Sequence, residues 1–103
     1  MNNITPDHIS NMDEHAKQAE ALLKMMANRS RLMILCHLVQ GEKTVGEINQ
    51  SVPLSQPALS QHLAKMRQQG LVSDRKEGQL VYYKISSKEA EALIQTLYSL
   101  YCL

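Results

Sequence analysis

The chain has 103 residues, of which 44% are hydrophobic and 20% charged, and its formal net charge is +1. That length supports one domain with a single core and little apolar area to spare, so a partner subunit would help to stabilise it. No apolar run approaches the roughly 18 to 20 residues needed to cross a bilayer, and the opening MNNITPDHISNMDEH lacks the charged-then-apolar plan of a secretory signal. The expected location is the cytoplasm, with no membrane partner.

The small net charge conceals a division along the chain. Residues 1–28 carry two lysines against four acids, residues 29–84 carry eight lysines and arginines against four acids, and residues 85–103 carry one lysine against two acids. A basic middle between acidic ends suits a small DNA-contacting module, because cations that displace counterions from phosphates supply much of the affinity. A merely solvated surface has the same pattern. The two cysteines, Cys36 and Cys102, are too few and too far apart for a secreted disulfide scaffold and are expected to start as thiols.

Residues 1–12, with Asn, Pro, Asp and Ser among them, are expected to be flexible, with one domain following over 13–103. A first helix runs over 13–28, with Ala16, Ala19, Leu22, Leu23 and Met26 at helical spacing. Ser30 can cap a second helix that turns Leu32, Leu35, Cys36 and Val39 inward and is closed by Gly41. Thr44 and Glu47 form a capping box for a short third helix, with Val45 and Ile48 inward and Pro53 breaking it. Ser55 caps a fourth helix, with Pro57 in its first turn, Leu59, Leu63 and Met66 as its buried stripe, and Gly70 as its stop. Residues 72–76 and 80–85 are two strand-like runs joined through Glu77, Gly78 and Gln79, which makes a hairpin. The SSKE box opens a last helix over 88–101. Its stripe of Leu93, Ile94, Leu97, Tyr98, Leu100 and Tyr101 is too broad for a lone surface helix and implies cover by a second subunit.

The expected fold is therefore mainly α with a β-hairpin wing: four helices, a hairpin and a fifth helix, arranged as a winged helix-turn-helix. The second helix of such a pair fits the major groove. With Leu59, Leu63 and Met66 inward, Gln56, Ser60, Gln61 and Lys65 lie on the outer face, behind Ser55 at the cap. Glutamine can pair both hydrogen-bonding positions of an adenine edge, whereas Ser and Lys suit phosphates or single acceptors. His62 sits between faces, where it either donates to a phosphate or completes the core. Arg75 and Lys76 of the hairpin, with Gln79 in its turn, are the further expected contacts to double-stranded DNA.

The run PLSQPALSQHLAKMRQQGLVSDRKEGQLVYYKI, preceded by ANRSRLMILCHL, resembles the ArsR/SmtB family of bacterial winged-helix regulators, with the similarity extending from about Lys17 to the C-terminus. That resemblance implies a homodimer joined through the first and last helices, bound to an imperfectly palindromic operator with one recognition helix per half-site. Many members of the family sense metals. Here the third-helix stretch is TVGEINQS, without a thiolate, and the last helix, SKEAEALIQTLYSLYCL, has no histidine. His8, His15, His37 and His62 lie on separate segments, and Cys36 and His37 are expected on different helix faces. A metal needs three or four converging ligands, so neither a metal nor another cofactor is expected.

Spacing alone leaves the cysteines open. Cys36 suits a small buried hydrophobe as well as a reactive thiol, and Cys102 could simply be tolerated. However, LLKMMANRSRLMILC and the terminal YC resemble the thiol-based branch of the family, the HlyU, BigR and SqrR-like regulators that respond to persulfides and oxidants. This implies that Cys36 and Cys102 are the redox-sensing pair and that reactive sulfur species or oxidants are the inducer. A thiolate attacks a persulfide sulfur and the second cysteine then closes a disulfide or a longer sulfur bridge. The expected function is a sequence-specific transcriptional regulator whose operator affinity is switched by oxidation or persulfidation of Cys36 and Cys102. Alternatives are a metal-responsive repressor of the same family, a redox-insensitive anti-silencing activator and, outside regulation, a thiol peroxidase. Nothing in the sequence resembles a substrate site, so no enzyme is expected.

Overall fold

A computed structural model describes the backbone of residues 6–102 and the side chains of residues 11–102. In chain order the elements are α1 (Pro6–Met26), α2 (Arg29–Leu38), β1 (Lys43–Thr44), α3 (Val45–Ser51), α4 (Gln56–Gln68), β2 (Val72–Glu77), β3 (Leu80–Ile85) and α5 (Lys88–Tyr101). The three strands form one antiparallel sheet in the order β1-β3-β2. This is the expected winged helix-turn-helix with one addition. The two-residue β1 pairs Lys43 with Tyr83 and Thr44 with Tyr82, and it is too short to show an alternating pattern in the sequence.

Local boundaries differ from expectation where capping chemistry decides them. α1 starts at Pro6 rather than Asp13, since proline at the first helical position gives up no intrahelical hydrogen bond and already holds a helical φ. Residues 1–5 of the segment expected to be flexible lie outside the described residues. Asn28 does not end α1 but caps α2: its backbone is extended, and its Oδ1 accepts from Arg31 N at 3.1 Å, which leaves Ser30 inside the helix. The Thr44–Glu47 box forms in both directions, at 3.1 and 2.8 Å. Ser87 caps α5 by accepting from Ala90 N, and this places Glu89 at the second helical position instead of in a reciprocal box.

The core lies between α2, α3, α4, the sheet and one side of α5. Leu59, Leu63 and Met66 of α4 are fully buried, as their spacing requires, together with Ile48 of α3 and Ile94 of α5. Each such side chain contributes about 1.5–3 kcal/mol through removal from water. α2 is rotated from expectation. Its buried residues are Ile34, Leu35 and Leu38, while Leu32 and Cys36 are half-buried because they border an open cleft against α5, and Val39 at the C-cap is half-buried too. Among the described side chains of α1 only Met26 is buried. Ala16, Ala19 and Leu23 remain exposed, so most of its apolar stripe is uncovered within the subunit.

Candidate nucleic-acid interface and thiol cleft

α4 is presented by its N-cap. Ser55 has an extended backbone and its Oγ accepts from Ala58 N at 3.2 Å, so its hydroxyl already serves the helix terminus. With the Leu59, Leu63 and Met66 stripe fastened to the core, Gln56, Ser60, Gln61 and Lys65 are all exposed. Gln68 is exposed too and follows Gln61 by seven residues, so it shares that face; helical spacing alone would have found it. Polar, uncharged donors and acceptors on one exposed helix face can form paired hydrogen bonds with base edges, and Lys65 adds a cation for phosphate.

His62 is half-buried and tied to α2. Its Nδ1 accepts from Arg31 Nε at 3.3 Å, while Arg31 Nη1 donates to the Met25 carbonyl at 2.9 Å. Arg31 thus straps α4 to the junction of α1 and α2, a role that the sequence reading did not assign. With Nδ1 accepting, the neutral ring carries its proton on Nε2, which remains a donor.

The wing turns at Gly78 (φ +63°) and Gln79, the residues between the paired Glu77 and Leu80. Positive φ at the first position and not the second has the sign pattern of a type II′ hairpin turn, which favours glycine there. β2 therefore runs one residue further than expected, to Glu77. Strand alternation then separates the two wing cations. Arg75 is engaged on one face: Nε and Nη2 donate to the two Glu42 carboxylate oxygens at 2.9 and 2.8 Å, Nη1 donates to Glu77 at 2.6 Å, and the guanidinium lies 4.4 Å from the Tyr82 ring centroid. The Arg75 hydrogen bonds hold the Glu42 carboxyl below the usual carboxylate range. On the other face Asp74 pairs with Arg67 of α4 at 2.9 Å. Lys76 has no carboxylate partner among the described residues, and Gln79 is exposed at the tip. Arg75 can reach a phosphate only by giving up carboxylate bonds. Glu42→Gln is accordingly expected to tighten DNA binding about twofold to fivefold and to steepen the dependence of log affinity on log salt by up to about one, as one added phosphate contact does. Titration at several salt concentrations checks both.

The second feature lies on the opposite side of α2. A cleft of about 730 Å³ is lined by Leu32, Met33, Cys36, His37, Gln40, Tyr98 and Cys102, with Ala27, Asn28 and Arg29 at its rim. Cys36 is half-buried, Cys102 is exposed at the C-cap of α5, and both are free thiols. Cys36 and Cys102 thus face one another's cleft wall; burial first, then the neighbouring Cys102, pushes the Cys36 thiol up from its ordinary value. Contrary to expectation, His37 lines the same cleft as Cys36. Even so, no group of three or more His, Cys, Asp or Glu among the described residues could hold a metal ion. No helix among the described residues is long and apolar enough to cross a membrane.

Comparison with known proteins matches this architecture. The model for bacterial regulatory proteins of the arsR family matches residues 28–74, from the cap of α2 through the start of the wing. The transcriptional activator HlyU of Vibrio cholerae is 50% identical over 97 residues, covering 94% of this chain and 90% of that protein. A biofilm growth-associated repressor of Agrobacterium fabrum is 38% identical over 91 residues, covering 88% of this chain and 78% of that one. The crystal structure of the transcriptional regulator HlyU from Vibrio vulnificus superposes with a TM-score of 0.88 at 51% identity, over 91% of this chain and 98% of that chain. With its helix-turn-helix and exposed polar α4 in the matched segment and a hairpin wing following, the chain belongs to the ArsR family of DNA-binding transcriptional regulators.

Proposed function

We propose that the chain acts as a homodimer on an imperfectly palindromic operator, and that a persulfide or oxidant weakens this binding by bridging Cys36 and Cys102. The observation that carries the reading is that the two free thiols, one on α2 and one at the end of α5, line a single cleft, in a subunit whose α4 leaves Gln56, Ser60, Gln61 and Lys65 exposed. The dimer reading is supported by apolar surface that the subunit does not cover. Leu23 is 54% exposed, Leu93 36%, Leu100 67% and Tyr101 81%. Between α1, α2 and α5 runs an apolar groove of about 290 Å³ lined by Leu23, Met26, Leu32, Leu93 and Leu97. A second copy laid against α1 and α5 buries this surface and gives the pair two copies of α4.

The switch follows from connectivity. α5 carries Cys102 at its end and, in the dimer, part of the subunit interface. A covalent bridge that pulls α5 against α2 therefore changes the separation of the two α4 helices. The duplex sets half-site spacing at about 34 Å per turn, so a changed separation cannot be accommodated at both half-sites. A thiol peroxidase would require a thiol whose pKa is lowered in an electropositive pocket, whereas that of Cys36 is raised. Together with relatives that are transcriptional regulators, this favours a stoichiometric sensor over an enzyme.

The test is a titration of the chain against its own upstream DNA at two salt concentrations, reduced and after treatment with glutathione persulfide, with intact mass recorded for each sample. The reduced protein is expected to bind with strong salt dependence and the bridged protein at least about tenfold more weakly, within the usual range of allosteric coupling. Absence of salt-dependent binding would refute the operator reading. Equal affinity of reduced and bridged protein would refute the switch.

A further inference from the structure

Two residue pairs face each other across the cleft between α2 and α5, one helical turn apart. Cys36 stands on one wall and Cys102 on the other. Gln40, four residues after Cys36 in the turn that leaves α2, donates from Nε2 to the Tyr98 hydroxyl at 3.0 Å, and Tyr98 precedes Cys102 by four residues. The two pairs are in register between segments that run in opposite directions, and all four side chains line one cleft. The Tyr98 carbonyl also accepts from the Cys102 N–H at 2.8 Å, so what holds Tyr98 holds Cys102. Beyond Tyr98, the side chains of Ser99, Leu100 and Tyr101 are exposed, which leaves the last turn of α5 without a buried anchor in the subunit.

We propose that the Gln40–Tyr98 hydrogen bond is a positioning clamp that sets the effective concentration of Cys102 at Cys36, and so decides how often a persulfide on Cys102 closes into the bridge. This rests on the thiol-switch reading above and specifies its regulation. The reagent class is a small hydropersulfide, R–S–SH. The exposed Cys102 thiolate attacks the outer sulfur, forming Cys102–S–SH and releasing RS⁻. Cys36, on losing its proton, attacks Cys102 Sγ; the disulfide forms and HS⁻ leaves. The two thiols lose two electrons, and the sulfane sulfur departs reduced, as sulfide. In competition, an external thiolate attacks the outer sulfur of Cys102–S–SH and restores Cys102. Closure is intramolecular and depends on the clamp, whereas the competing attack is bimolecular and does not.

The experiment uses the full chain, reduced, with glutathione persulfide as the probe, alkylation to stop the reaction and intact mass to count persulfide and bridge. Tyr98→Phe keeps the ring and removes the hydroxyl; Gln40→Leu removes the donor. Each is expected to slow closure about threefold to tenfold, the range one hydrogen bond is worth, and the double variant is expected to be no slower than either single. The equilibrium constant for bridging in a glutathione buffer is expected to fall by the same factor, since effective concentration enters both. Persulfidation of Cys102, measured in the Cys36→Ser background, and operator affinity of the reduced protein stay unchanged. Wild-type closure and bridging equilibrium in Tyr98→Phe, or single-variant losses that multiply in the double variant, would overturn the clamp and leave the switch standing. A wild-type chain that takes up persulfide at Cys102 but never closes would overturn both.

Discussion

Replacing Cys102 by serine is expected to leave the reduced chain's operator affinity within about twofold, as for most surface substitutions, and to abolish the loss of affinity on persulfide treatment. Cys102 is exposed at the end of α5, on the side of α2 away from the α4 strap formed by Arg31 and His62, so the substitution removes no packing beneath the exposed face of α4. Cys36→Ser is expected to abolish the response as well, but with a different product. It leaves the exposed Cys102 to accumulate persulfide that cannot close. Cys102→Ser leaves only the half-buried Cys36, where burial still disfavours the thiolate and slows its reaction. Fluorescence anisotropy paired with intact mass separates these outcomes. If Cys102→Ser still releases DNA on treatment, the two-thiol account is wrong.

The other large effect concerns assembly. Leu23→Asp combined with Leu93→Asp puts two carboxylates into the apolar groove between α1 and α5, at positions exposed enough for the subunit itself to tolerate them. The double variant is expected to sediment as a monomer. Its operator affinity is expected to fall about a hundredfold or more, because the second α4 no longer binds as a linked partner at high effective concentration. Sedimentation velocity and anisotropy on the same sample check the pair of effects. A variant that remains dimeric would remove α1 and α5 from the interface.

How much of this was legible in the sequence follows from where each side chain finds its partner. The face of α4 was readable because Leu59, Leu63 and Met66 are all buried by the same subunit, so their spacing reports the core directly. The stripe of α1 was readable as a helix but not as a surface. Leu22, Met25 and Met26 pack against the core while Ala16, Ala19 and Leu23 of the same helix stay exposed, and periodicity does not tell the two sets apart. α2 was misaligned by part of a turn because both of its faces are apolar, one for the core and one for the thiol cleft. The caps at Asn28 and Ser87 compete with Ser30 and Ser86, and only backbone geometry decides between such neighbours. Contacts between distant segments left no local signal. The Arg31–His62 strap, the capture of Arg75 by Glu42 and the Gln40–Tyr98 bond all join residues more than thirty apart. The placing of Cys36 and Cys102 in one cleft is of the same kind, and only family resemblance pointed to that pair in advance.

The most direct test of the account is hydroxyl-radical footprinting of the reduced protein on its own upstream DNA, run beside Gln61→Ala. The account predicts two protected patches on one face of the duplex, about 10 base pairs or a whole multiple of that apart. Gln61→Ala is predicted to keep the backbone protection while losing preference for that site over unrelated duplex. Protection without phase along the duplex, or a Gln61→Ala variant with undiminished site preference, would contradict it.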